Sequence, residues 1–305
     1  MPHSLSKKKL VVIAGPTAVG KTAVGVRLAA HLGTHILSAD SRQVYREMAI
    51  GTAKPSRDEQ HGIPHHLIDE ISIAHPITAA DFERLAIKKL NALFETHDVA
   101  VCVGGTGLYL RAIMDGLDRI PDVPEEISNA LEREYSRSGL QSLAAELKRL
   151  DPDHGATADL SNPHRVMRAL AVCRYTEKPF SSFLGGYSQT RNFISIPICL
   201  TMDREKLYER INNRVDMMVE QGLKGEALSL IPHKLSRALQ TVGYKEYFEH
   251  FDGKYDEARA IELIKQNSRR YAKRQMTWFR NQGNWHMIDI DGPNYFDEIL
   301  KQISD

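Results

Sequence analysis

Short apolar runs and amphipathic stretches alternate through the first third of this chain, and each predicts an element. Leu10–Ala14, His35–Ala39 and Val99–Val103 are dense in β-branched and aliphatic residues, the pattern of strands buried on both faces of a parallel sheet. Between them, Lys21–Leu32 and Thr78–His97 predict helices. The second opens on a capping pair, Thr78 and Asp81, and carries an apolar stripe of Phe82, Leu85, Ile87, Leu90, Leu93 and Phe94. After Ile120 the pattern changes. Pro121 and Pro124 break the chain, and Glu125–Arg137, Leu140–Leu150 and Pro163–Tyr175 follow as helices with no strand among them. Strand patterns resume at Phe193–Thr201, after a loop holding Ser181-Ser182 and Gly185-Gly186, and again at His286–Ile290, with helices dominating from Arg204 onward. The fold expected is α/β: a mostly parallel sheet flanked by helices, interrupted by an all-helical insertion. The first part of the core would span 1–120, the insertion 121–192 and the second part of the core 193–305.

Composition narrows the classes of function. The 305 residues are 42% hydrophobic and 26% charged, enough to build a sizeable core. No apolar run reaches the ~18 residues of a membrane span, and the Met1–Lys9 segment leads into the first strand without a signal-type apolar region, so no membrane partner and a cytoplasmic location are expected. Cys102, Cys173 and Cys199 lie far apart in apolar settings, as reduced core thiols do. A net charge of +1 means that any polyanionic partner must be held by a local basic patch.

The densest chemical signal is Gly15-Pro16-Thr17-Ala18-Val19-Gly20-Lys21-Thr22, directly after the first strand and opening the first helix. Two glycines let the loop turn its N–H groups inward at a helix N-terminus, Lys21 adds a point charge, and the Thr22 hydroxyl can hold Mg²⁺. This is a P-loop, and it names a phosphate or diphosphate without naming the reaction. At the end of the second strand, Asp40 falls at the carboxyl edge of the sheet, where ligands of open α/β sheets bind. A carboxylate there can be a Mg²⁺ ligand of a small-molecule kinase, a general base, or the N-cap of the next segment, and the residues leave all three open. The third strand runs into Gly104-Gly105-Thr106-Gly107, with no acid to hold the Mg²⁺ of an NTPase, which argues against ATP hydrolysis.

Other polar clusters carry less. His61, His65 and His66 invite a metal, but Gly62 and Pro64 prevent the helix that would place two of them on one face, so they read as loop or substrate-side groups. Arg210 and Arg214 stand one helical turn apart, two forks suited to a diphosphate, with a solvated face paired to Glu209 and Asp216 as the alternative. Between Arg259 and Arg280, seven cations (Arg259, Lys265, Arg269, Arg270, Lys273, Arg274 and Arg280) face one acid, Glu262, while Ile261, Ile264, Tyr271 and Trp278 recur at helical spacing. That pattern favours a polyanion on the basic face.

In chain order, Gly15–Thr22, Asp40–Tyr45, Gly51–Pro55, Pro64–Asp69, Gly104–Tyr109, His164–Leu170, Gly243–Glu246 and Tyr271–Gln275 together resemble the tRNA dimethylallyltransferases over essentially the whole length. No paired Cys and His like the zinc finger of eukaryotic members follow the basic stretch, so the resemblance is to the bacterial form. It implies transfer of the dimethylallyl group from dimethylallyl diphosphate to N6 of the adenosine 3′ to the anticodon, in tRNAs that read codons beginning with U. Gly15, Pro16, Thr17, Ala18, Val19, Gly20, Lys21 and Thr22 would bind the diphosphate rather than ATP, with Mg²⁺ on Thr22. Asp40 would take the N6 proton, Thr106 would lie beside the flipped adenine, and Arg214 would grip the leaving diphosphate. The tRNA anticodon arm would be touched by Asp40, Ser41, Arg42 and Gln43, by His164, Arg165, Val166, Met167 and Arg168, by Thr241, Val242, Gly243, Tyr244, Lys245 and Glu246, and by Lys273 and Arg274. A monomer is expected. Two neighbouring classes share the loop: adenylate isopentenyltransferases, against which the helical insertion and the basic C-terminal helix argue, and small-molecule kinases, whose arginine lid has no counterpart here.

Overall fold

Strand β1 (Lys8–Ala14) lies in the middle of the sheet in the computed structural model, which describes residues 8–185 and 190–304. Met1–Lys7, and Gly186 of the glycine pair, fall outside the described residues. After β1 come α1 (Lys21–Leu32), β2 (Ile36–Ser38), α2 (Arg57–Gln60), β3 (His65–His66), α3 (Ala79–Phe94), β4 (Val99–Gly104) and α4 (Gly107–Met114). Three helices follow, α5 (Glu125–Leu150), α6 (Pro152–Thr157) and α7 (Pro163–Thr176). The sheet then resumes with β5 (Phe193–Thr201), α8 (Arg204–Glu220), α9 (Leu223–Ser229), α10 (Tyr244–Phe251), α11 (Glu257–Asn281), β6 (His286–Asp289) and α12 (Tyr295–Ser304). The chain forms two compact units, Asp115–Thr190 and the remainder.

In the larger unit the strand order is β3-β2-β4-β1-β5-β6, every neighbouring pair parallel. Residues Leu10 to Ala14 are fully buried and alternate between two cores. Leu10, Val12 and Ala14 pack with Phe82, Leu90 and Phe94 of α3 and Leu110 and Ile113 of α4. Val11 and Ile13 pack on the other face with Val26 and Leu28 of α1, Leu207 and Ile211 of α8, and Ile299 of α12. At about 1.5–3 kcal/mol for each such side chain, this two-sided burial explains why β1 shows no polar alternation. The capping pair expected for α3 is formed: Thr78 Oγ1 accepts from the Asp81 amide (3.2 Å) and Asp81 Oδ2 from the Thr78 amide (2.9 Å). A third core, holding Val44, Tyr45 and Met48 with Val215, Met218, Leu223, Tyr244, Tyr247 and Ile264, lies among the Val44–Met48 segment and α8 to α11.

The element missed by pattern is β3. It is two histidines long, with His65 opposite Ile36 and His66 opposite Leu37, too short and too polar to resemble a strand. The ring Nδ1 of His35 lies 3.1 Å from Nε2 of His66, and the His97 ring lies 5.0 Å from that of His35. Burial, the largest influence on each, holds His35, His65 and His66 below the ordinary imidazole value. These rings therefore stand at the amino ends of β2 to β4, not at the ligand edge where a substrate-side role would require them.

In the smaller unit, α5 is two helical arms joined at Gly139, whose φ of 74° only glycine adopts readily. Arg174 of α7 clasps both arms, donating to Glu134 (2.9 Å) and Glu146 (3.0 Å). Leu131, Leu143 and Leu147 of α5 pack with Val166, Ala169 and Leu170 of α7.

Candidate active site

The loop after β1 closes because its backbone enters regions that side chains seldom allow. Gly15 has φ 145°, Ala18 φ 65° and Gly20 φ 107°, and a Cβ on Gly15 would stand 2.7 Å from the Leu200 carbonyl oxygen. Gly20 caps α1, so the first-turn amides and the helix dipole face the loop interior. Lys21 curls back and donates to the Pro16 carbonyl at 2.7 Å. Burial first, and the Arg214 guanidinium second, bring its ammonium down to about 8, while the Asp40 carboxylate works the other way. A cation held against these costs is what an incoming anion relieves. The Thr22 hydroxyl sits half-buried one residue on.

Arg214 arrives from α8. Its guanidinium donates to Thr17 Oγ1 and to the Thr52 carbonyl, both at 3.3 Å, and burial holds its pKa below the usual arginine value. Arg210, one turn earlier, brings Nη2 to 3.5 Å from where a Cβ on Gly20 would be. Both forks therefore reach the loop. Asp216 is taken up by Lys265 at 2.5 Å, so the surface-pairing alternative holds for that residue and not for the arginines.

Past the end of β2, Asp40 Oδ1 accepts from the amides of Arg42 (2.8 Å) and Gln43 (3.2 Å). No helix starts here, so the N-cap reading is corrected: one oxygen holds the Ser41–Val44 turn instead. Oδ2 makes no hydrogen bond among the described residues, and the carboxylate is near enough to Lys21, Arg214, Tyr109 and Tyr271 to perturb each. Beside it, Thr106 Oγ1 accepts from the Ser41 amide at 3.1 Å and donates to Ser41 Oγ at 3.3 Å. Gln43 Nε2 reaches the carbonyls of Thr52 (3.1 Å) and Ala53 (3.2 Å). Asp40, Thr106, Ser41 and Gln43 thus form a polar patch whose carboxylate borders the cationic loop.

Two residues that pattern reading did not single out complete the site. Gln275 of α11, 7% exposed, accepts from the Thr17 amide and donates to the Gly105 carbonyl, both at 2.8 Å, tying the phosphate loop to the glycine turn after β4. Its signal was a polar side chain in the helical stripe between Tyr271 and Trp278. Glu226 of α9 receives the amides of Ala49, Ile50 and Gly51, and its long-range partners left no local trace.

The expected RNA-facing residues divide by burial. His164, Arg165 and Arg168 are exposed on α7, Lys245 on α10, and Lys273 and Arg274 on α11, while Met167, Thr241 and Val242 are partly covered. Val166, Tyr244 and Glu246 are corrected. Val166 is core, the Tyr244 hydroxyl donates to Glu226 at 2.6 Å, and Glu246 caps α10 through the Gly243 amide at 2.8 Å and accepts from Asn267. Their segments were identified whole, and helical periodicity turns every third or fourth member inward. Gly243 is likewise buried as the N-cap of α10.

Comparison with known proteins bears on this geometry. A family model described as IPP transferase matches residues 43–282. A tRNA dimethylallyltransferase of Christiangramia forsetii is 50% identical over 297 residues, covering 97% of this chain and 98% of that one. One from Geobacillus thermodenitrificans is 42% identical over 97% and 96%. Among solved structures, the full-length tRNA isopentenylpyrophosphate transferase of Bacillus halodurans superposes with a TM-score of 0.72 at 40% identity, covering 98% of this chain and 96% of its own. A eukaryotic dimethylallyltransferase described as acting on tRNA gives 0.80 at 25% identity, covering 97% and 77%. With a family model matched over most of its length and relatives up to 50% identical over nearly the whole of both chains, the chain belongs to the tRNA dimethylallyltransferase family.

Proposed function

We propose that this chain transfers the dimethylallyl group of dimethylallyl diphosphate to N6 of the adenosine 3′-adjacent to the anticodon, in tRNAs reading codons that begin with U. The observation that carries the reading is the border between the two halves of the site, where the Asp40 carboxylate lies within electrostatic reach of both Lys21 and Arg214. The amine nitrogen forms a bond to the allylic C1, the C1–O bond to the diphosphate breaks, and Asp40 Oδ2 takes the N6 proton. Lys21, Arg214 and the loop amides stabilise the negative charge that grows on the departing diphosphate. The Thr17 amide, held by Gln275, belongs to the loop's scaffold. Thr106 faces the adenine side.

The donor set fits Mg²⁺. Thr22 offers one hard oxygen, to which substrate phosphates and water would add the rest of an octahedral shell. When bound there, Mg²⁺ neutralises phosphate charge. The RNA would be met by Asp40–Gln43, by the exposed members of His164–Arg168 and Thr241–Lys245, and by Lys273 and Arg274. No described helix is long and apolar enough to cross a membrane, and three buried free thiols support a reducing cytoplasm.

Incubation with labelled dimethylallyl diphosphate and tRNA, AMP or ATP in parallel tests the reading. Label is expected on tRNA and on an isolated anticodon stem-loop. Label on AMP alone would move the chain to the adenylate class.

A further inference from the structure

The Ile50–Thr52 turn holds two parts of the site at once. Its last carbonyl, that of Thr52, accepts from Arg214 Nη2 and from Gln43 Nε2. Locally the turn is closed by Thr52 Oγ1, which donates to the Met48 (2.8 Å) and Ala49 (3.1 Å) carbonyls, but no side chain caps its first amides, and Gly51 sits against the Tyr244 ring so closely that a Cβ there would approach within 2.6 Å. The partner of those amides comes from a distance of 175 residues along the chain. Glu226 Oε2 accepts from the Ala49 amide (3.0 Å) and the Ile50 amide (2.8 Å), and Oε1 from the Gly51 amide (2.9 Å) and the Tyr244 hydroxyl (2.6 Å). Four donors on one carboxylate are charge-assisted bonds, roughly twice as strong as neutral ones.

We propose that Glu226 is a positioning residue for the diphosphate site. By holding three consecutive amides it sets the Thr52 carbonyl, and that carbonyl aims the Arg214 guanidinium at Thr17 of the phosphate loop. Tyr244 acts with it, donating to the same carboxylate oxygen that receives the Gly51 amide. Replacing the carboxylate by an amide puts an NH₂ group where an N–H already points, so the turn must shift and Arg214 with it.

The inference rests on the diphosphate site proposed above, and its test is a binding measurement that needs no transfer. Calorimetry with dimethylallyl diphosphate is applied to the wild type, Glu226→Gln, Arg214→Ala and the double variant. Glu226→Gln is expected to weaken binding about tenfold, the scale of one lost charge-assisted contact, while the affinity for tRNA changes less than twofold. Added to Arg214→Ala, the same substitution should change binding less than twofold, because the group it positions is gone. Unchanged binding in the single variant, or a full tenfold loss repeated in the Arg214→Ala background, overturns the proposal. Should Glu226→Gln fail to fold, Tyr244→Phe stands in, with a smaller loss in the same direction that Arg214→Ala must again absorb. Wild-type protein that binds the diphosphate but prenylates no tRNA sinks the transfer reaction and leaves this test intact. Wild-type protein that binds no diphosphate overturns both.

Discussion

Lys21 is where an elementary cost becomes a measurable property. An ammonium at about 8 instead of its ordinary 10.5 is partly neutral in mildly alkaline solution, and a bound diphosphate restores its charge. Binding of dimethylallyl diphosphate near pH 8.5 is therefore expected to take up protons, read by calorimetry in buffers of differing ionisation enthalpy, and affinity should fall as pH rises past 8. No proton uptake would remove Lys21 from the contact. Asp40 yields a second expectation from its divided oxygens. Asn at this position keeps an acceptor for the Arg42 and Gln43 amides but cannot take a proton, so Asp40→Asn should retain its thermal midpoint and lose about 10²–10⁴ in kcat. Turnover within tenfold of wild type would assign the carboxylate to holding the turn alone. Lys21, Thr22 and Asp40 were legible because each is marked by its immediate neighbours: a glycine loop, a helix start, a strand end. Gln275 and Glu226 were not, since both act through partners brought close only by folding.

Helix α11 divides its work between two faces. Inward it presents Ala260, Ile264, Ala272, Gln275 and Phe279 to the cores and the phosphate loop. Outward it carries the seven cations, but they are not equivalent. Arg259 is paired with Glu262 and Lys265 with Asp216, and Arg269 donates to Asn212, whereas Lys273 and Arg274 are exposed without an acidic partner among the described residues. Replacing Lys273 or Arg274 by Ala should lower the log–log salt slope of tRNA binding by roughly 0.7–0.9 each, and replacing Arg259 or Lys265 by much less. Equal slopes for all four would mean that the local pairs open on binding. The basic run could be read from composition, but which of its members are spent locally depends on α8, 49 residues away in sequence. Helix existence was equally plain in the apolar stripes, while β3 escaped because a two-residue edge strand of histidines has no period to detect.

At the amino ends of the strands the three imidazoles set a pH limit on the fold. His35, His65 and His66 are held below 6.5, so the unfolded chain binds more protons than the folded one between those lowered values and 6.5. Their contribution to stability is complete above that range and is lost as pH falls through it. His97 adds to the effect at His35 and Lys89 at His66, with Glu70 opposing. The thermal midpoint should be lower at pH 5.5 than at pH 7.5, and His66→Gln should narrow the gap. A gap unchanged by that substitution would place the sensitivity elsewhere.

The sheet order carries a consequence for how this molecule is made. β1 is flanked by β4 and β5, yet β5 begins at Phe193, after the whole of the Asp115–Thr190 unit. On the ribosome, at about 5–20 residues per second, one edge of this buried central strand therefore waits on the order of ten to forty seconds for its partner. Nascent chains paused within the helical unit should be bound by chaperones that recognise exposed apolar strands, and should be released once β5 has emerged.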